Sequence, residues 1–256
     1  MSSFIIKIDT FNIIMAVVSA IIGALLFVCS VSILNKVPAK WLCDYDEEPS
    51  EEMLNGKRFK GTFLFTTGCI LTAALFAFVY LTYGFSIYTI ISMALAFVLI
   101  MIILSDGKYY IIPDQFVIIV GVLSLAFAYY DFFDKQYVIK SWWSPLVGGG
   151  SIALMIIAVN FITMLIAKKD GMGFGDVKLF AALGIATGFP NVLISLLIAV
   201  ISAFVIIIFT VIVNKIRKKE TYNYIPFGPS ICIGVLAIVI MNGFISYLIE
   251  LYLSLF

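Results

Sequence analysis

The chain has 256 residues, 63% of them hydrophobic and 12% charged, with a net charge of +1 and no histidine. A soluble domain carries about 25% charged and about 45–50% apolar residues, so this much apolar surface cannot be hidden in a soluble core and requires a bilayer. The near-zero charge leaves no basic footprint for nucleic acid, and the missing histidine removes the commonest general base and metal ligand and every Ser-His or Cys-His nucleophile.

The chain opens with Met1–Thr10, which holds one lysine, followed by the apolar run 12–34. That run is longer than the roughly 7–15 residues of a signal-peptide core, so it is expected to persist as a first membrane helix. The loop 35–60 comes next. It is too short to form a hydrophobic core of its own, and six acids crowd into it: Asp44, Asp46, Glu47, Glu48, Glu51 and Glu52. Seven further apolar segments follow, at 62–82, 86–105, 113–130, 145–167, 176–188, 190–213 and 228–254. Most approach the ~20 residues that a spanning helix needs. Tyr83-Gly84, Pro145, Gly188-Phe189-Pro190 and Phe227-Gly228-Pro229 punctuate them. The sixth segment is short, and a mere kink at Gly188-Pro190 would fuse it to the seventh and leave seven helices.

The basic residues favour eight. With eight spans and the N-terminus outside, the inner loops hold Lys36, Lys40, Lys57, Arg58, Lys60, Lys108, Lys168, Lys169, Lys178, Lys215, Arg217, Lys218 and Lys219, leaving Lys7, Lys135 and Lys140 outside. This is the asymmetry of the positive-inside rule, and seven spans would spoil it by moving the 215–219 cluster outward. The expected architecture is therefore all-α: one polytopic membrane bundle of about eight helices over 1–256, with the loop 35–60 cytoplasmic and both termini outside.

The four cysteines, Cys29, Cys43, Cys69 and Cys232, form no C-x-x-C pair, so no zinc or other metal site is expected. Three sit in apolar runs as small packing residues.

Two acids stand out because an ionisable group at a membrane helix is costly and marks function by default. Asp106 ends the third segment in Leu104-Ser105-Asp106-Gly107-Lys108, and Asp176 opens the sixth in Gly173-Phe174-Gly175-Asp176-Val177-Lys178. The charge-derived topology puts both on the inner side at similar depth. Two carboxylates at close range share a proton between them. One can then take a proton from water while the other protonates a carbonyl oxygen, with no histidine, cysteine or metal. Gly173 and Gly175 would let a backbone approach closely. The plain structural alternative is that Asp106 ends a helix at the interface and Asp176 caps one.

The stretch Gly171-Met172-Gly173-Phe174-Gly175-Asp176-Val177-Lys178-Leu179 resembles the G-x-G-D signature of type IV prepilin peptidases. Asp106-Gly-Lys-Tyr-Tyr-Ile-Ile-Pro113-Asp114 is similar to that family's other signature, and Ile225-Pro226-Phe227-Gly228-Pro229 to an element opening its last helix. The resemblance covers about 85–254. It implies an aspartic endopeptidase in which Asp106 and Asp176 are catalytic and Asp114 and Lys178 are supporting. Asp114 also reads as the first turn of the fourth helix, and Lys178 could steady a carboxylate or reach to the interface.

The implied substrates are prepilins or pseudopilins with a basic leader, cut at the cytoplasmic face of the inner membrane with the glycine loop beside the substrate. The acids Asp44, Asp46, Glu47, Glu48, Glu51 and Glu52 could attract that leader. Bacterial members that methylate the new N-terminus carry paired C-x-x-C motifs in the first loop. This chain has only Cys43 there, which weighs against transfer from S-adenosylmethionine.

Other readings compete. Presenilin-like proteases pair a Tyr-Asp with G-x-G-D, but Tyr130-Asp131 falls on the outer side and no Pro-Ala-Leu motif exists. A transporter or membrane assembly factor would suit broken helices and a glycine-rich segment, but the acids lie at helix ends and the repeats of many transporters are not visible. A rhomboid-like serine at Gly150-Ser151 would lack its histidine.

Overall fold

The computed structural model describes residues 9–44, 48–54, 58–59, 61–135, 137–167, 173–216 and 226–253. Eight helices of 14 or more residues account for most of these. We label them α1 (Thr10–Lys36), α2 (Thr62–Tyr83), α3 (Ile87–Tyr109), α4 (Asp114–Tyr130), α5 (Ser144–Ala167), α6 (Phe174–Thr187), α7 (Asn191–Ile216) and α8 (Gly228–Leu253). Among the described residues there is no strand. Six of the helices are long and apolar enough to cross a membrane, which makes the chain a multi-pass membrane protein.

Local chemistry sets the ends. The Asp9 side chain caps α1 by accepting from the Asn12 amide at 2.9 Å, and Ser86 caps α3 through the Thr89 amide at 3.2 Å. The break expected at 188–190 is a true end. Gly188 lies at φ 63, a left-handed conformation that closes α6 without Cβ strain, and α7 begins at Asn191. α6 is therefore a separate helix of 14 residues. At about 1.5 Å per residue it extends roughly 21 Å, less than the ~30 Å of a bilayer core.

Helix α3 is central and touches α1, α2, α4 and α8, while α6 is held by α4, α5 and α8, and α7 leans on α8. Close pairs form where a side chain is missing, the usual route to tight helix association in lipid. A Cβ at Gly184 would stand 2.8 Å from the Gly148 carbonyl oxygen and 2.9 Å from the Gly149 Cα. Gly148 and Gly149 thus belong to the α5–α6 contact, while Gly150 is exposed with nothing packed against it. The Phe189 amide bonds the Ser144 carbonyl at 3.0 Å and fixes the same antiparallel register.

That register has a consequence for depth. Ile152 and Ile156 of α5 are buried, and no described residue of α5 beyond Ile156 is. Matched against α6, Asp176 lies near the level of Ile156, so α5 continues for roughly 15 Å past it. Likewise α7 buries Val192, Ser195 and Ala199 and nothing described beyond. Ser202 of α7 reaches the Ser230 carbonyl of α8 at 3.5 Å, so α7 also runs roughly 18 Å past the start of α8. The two acids sit at helix ends, as the sequence suggests, but the neighbouring apolar helices stand well above them. The cause is the shortness of α6 and the late start of α8.

Candidate active site

Four helix ends meet at one place: the C-terminus of α3 and the N-termini of α4, α6 and α8. They surround an open cavity of about 800 Å³. Asp106, Asp114, Asp176, Gly173, Gly175 and Lys178 all line it, together with Tyr110, Phe174, Phe227 and the segment Pro38–Asp44 of the first loop.

Asp106 occupies the last turn of α3 and is 5% exposed. Its Oδ2 accepts the Gly228 amide at 2.9 Å. Gly228 is the first residue of α8, and its N–H is one of the donors that no helix can satisfy internally. Asp106 therefore caps α8 from another helix. The absence of a side chain at Gly228 makes this possible, since a Cβ there would stand 2.6 Å from the same oxygen.

Asp176 lies in the first turn of α6, three residues after its N-cap Gly173. Its carboxylate takes the Gly173 N–H and feels the charge of Asp106. This is the acidic half of a capping box, placed at the positive end of the α6 macrodipole. Both acids are thus anchored by a helix N-terminal amide, one within its own helix and one in trans. Gly175 packs on Ile112, which a Cβ would approach to 3.4 Å. Cys232, one turn into α8, is fully buried and lies within electrostatic reach of both carboxylates.

Of the two roles open to Lys178, the structure favours the first, and the carboxylate it steadies is that of Asp114. Its ammonium pairs with both oxygens of Asp114, at 3.0 and 3.1 Å, and lies 5.0 Å from the Phe174 ring centroid. The pair ties the first turn of α4 to that of α6.

The six loop acids separate. Asp44 is exposed on the cavity rim. Glu48 and Glu51 are exposed and do not line the cavity. Asp46, Glu47 and the Glu52 side chain lie outside the described residues, as do Gly171 and Met172. Asp131 lies beyond the far end of α4, fully buried, with its carboxylate accepting the amides of Tyr137, Val138 and Ile139 at 3.0, 2.9 and 2.6 Å. It staples the loop that follows α4, at the end of that helix away from the cavity. Among the described residues, no group of three His, Cys, Asp or Glu is placed to hold a metal ion.

Sequence reasoning missed two contributors. Gly228 carries a visible signal in Phe227-Gly228-Pro229, a proline just inside a helix start, but nothing local shows that its amide serves Asp106. Tyr110 takes the left-handed C-terminal position of α3 at φ 58, where glycine is usual, and it faces the cavity.

The fold and the site define a class: a polytopic membrane protein with two anchored aspartates converging on one cavity at the ends of its helices. Over residues 93–208 the chain matches the type IV leader peptidase family. Asp106, Asp114, Asp176 and Lys178 fall inside that span; Gly228 and the first loop fall outside it. Individual relatives are prepilin leader peptidase/N-methyltransferases. That of Bacillus subtilis (strain 168) is 24% identical over 197 residues, covering 75% of this chain and 73% of the relative. That of Pectobacterium carotovorum subsp. carotovorum is 30% identical over 150 residues, 59% of this chain and 50% of the relative. That of Pseudomonas aeruginosa is 29% identical over 165 residues, 64% of this chain and 54% of the relative. The chain thus spans about half the length of the latter two relatives. No solved structure matches the chain.

Proposed function

We propose that this protein is an aspartic leader peptidase of the inner membrane, acting on prepilin-like proteins at the cytoplasmic face. The observation that carries this is the convergence of Asp106 and Asp176 on one cavity, within the segment shared with the leader peptidases. One carboxylate takes a proton from a water as that water attacks the scissile carbonyl carbon. The other gives a proton to the carbonyl oxygen; collapse of the tetrahedral intermediate then breaks the C–N bond and the leaving amine takes up a proton.

Charge supports a basic leader as the substrate's soluble part. Four acids and two lysines line the cavity, and one of those lysines, Lys178, is matched to Asp114. Depth supports a substrate helix beside the uncovered ends of α5 and α7, with its cleavage site drawn down to the level of Asp176. The distribution of lysine and arginine supports an inward-facing site.

Methyl transfer stands second in the names of the relatives. Among the described residues, the carboxylates that could face the sulfonium of S-adenosylmethionine share one cavity with the proposed hydrolytic pair. Three of them are already held, by Gly228, Gly173 and Lys178.

The decisive experiment compares the wild-type protein with Asp106→Asn and Asp176→Asn, each incubated with a prepilin-like protein and labelled S-adenosylmethionine. Mass spectrometry of the product N-terminus reads cleavage and methylation together. Loss of a proposed acid–base group of this kind removes at least about 10²–10⁴-fold of rate, so both variants should insert, accumulate and fail to cut. Cleavage near the wild-type rate by either variant refutes the assignment.

A further inference from the structure

The first loop is not a free tether. Segment 37–44 forms a wall of the cavity through Pro38, Lys40, Trp41, Cys43 and Asp44. It contains the short 3₁₀ turn Ala39–Leu42, whose Leu42 is fully buried, and Trp41 packs edge-on against Phe116 of α4 with centroids 6.4 Å apart. Four residues are too few to hold such a wall by themselves.

What holds it lies outside the cavity. Arg58 is only 6% exposed although it carries a charge. Its guanidinium donates to three main-chain carbonyls: Met53 at 2.6 Å, Val37 at 2.6 Å and Leu34 at 3.2 Å. Leu34 is in the last turn of α1 and Val37 is its C-cap, so the cation sits at the negative end of that helix and satisfies carbonyls the helix leaves open. The Asn35 side-chain oxygen accepts the amides of Arg58 and Phe59 at 2.8 and 2.9 Å. Lys108, two residues past Asp106, donates to the Arg58 carbonyl, and its ammonium lies 5.4 Å from the Phe59 centroid and 5.1 Å from that of Tyr109. Both ends of the loop are thereby fastened to each other and to the helix end that bears Asp106.

We infer that Asn35, Arg58 and Lys108 form a positioning clasp that holds segment 37–44 as the wall of the cavity and so sets the affinity for a peptide substrate. None of the three lines the cavity, so the clasp acts through the wall and not on the reacting atoms. Its kinetic consequence rests on the peptidase reading; its mechanical consequence does not.

Cys43 offers a direct readout, because it lies in this wall while Cys29, Cys69 and Cys232 lie in α1, α2 and α8. The full-length purified protein is treated with a charged maleimide, and modification of the Cys43 peptide is timed by mass spectrometry. Arg58→Ala should speed that modification about tenfold and raise KM by a similar factor while kcat stays within about twofold. Arg58→Lys should recover only part of the effect, because an ammonium cannot reproduce the planar fork. Lys108→Met, which loses one hydrogen bond, should shift both quantities the same way by about threefold, and Asn35→Ala, which loses two, by somewhat more. If Arg58→Ala does not accumulate, these two variants decide the matter with the same measurements.

An unchanged Cys43 rate overturns the clasp, and so does a fall in kcat at constant KM. If the wild-type protein cuts no leader peptide, the peptidase reading fails and the Cys43 rates alone decide the clasp.

Discussion

Asp106 and Asp176 are each held by a main-chain amide at the start of a helix, which orients a carboxylate without spending another side chain on it. The arrangement depends on Gly228, where any Cβ would intrude on the Asp106 oxygen. Gly228→Ala should therefore leave insertion and helix content intact yet cut the cleavage rate by about 10², the usual effect of displacing a reacting group by an ångström. Cleavage kinetics beside circular dichroism will check it, and a fully active Gly228→Ala variant contradicts the role given to Asp106. Asp114 and Lys178 show the limit of reading residues one at a time. The family-like motif marks both, but their partnership spans 64 positions and follows only from α4 and α6 lying side by side.

The decisive element is α6. Its 14 residues keep Asp176 below the ends of α5 and α7, and its place is fixed by the glycine contact with α5. Filling that contact forces the helices apart. Gly184→Leu should destabilise the protein by about 1–3 kcal/mol, the typical cost of overpacking, visible as a lower Tm in detergent, and should reduce cleavage because Asp176 moves with α6. A variant with wild-type Tm would mean that α5 and α6 are not in tight contact. The sequence announces this helix only weakly, since an apolar run of 14 residues suits a buried segment as well as a span. The break after it was legible, because Gly188-Phe189-Pro190 combines a left-handed residue with a ring that cannot continue the helix.

Across the whole molecule, one end of the bundle gathers acids around an open cavity while lysines mark its surroundings. Exposed charge pairs contribute about 0–1 kcal/mol each and weaken as salt rises. KM for a basic-leader substrate should therefore increase with ionic strength, and Asp44→Asn should flatten that dependence, since Asp44 stands on the cavity rim. A salt-independent KM would rule out electrostatic capture of the leader. Of the described acids in that run, Asp44 lines the cavity and Glu48 and Glu51 do not, while Asp46, Glu47 and the Glu52 side chain lie outside the described residues.

Composition and pattern alone determined that this chain lies in a bilayer, where its helices break and that two acids, Asp106 and Asp176, stand at helix ends. These properties are local: apolar length, a glycine or proline at a boundary, and a charge where lipid penalises it. Only the tertiary structure decided that Gly228 serves Asp106, that Lys178 pairs with Asp114 and that Arg58 fastens the first loop. Each joins residues far apart in sequence. No helical period or motif spacing encodes such a pairing; it appears when packing brings the helix ends together and their unsatisfied amides and carbonyls find partners across the gap.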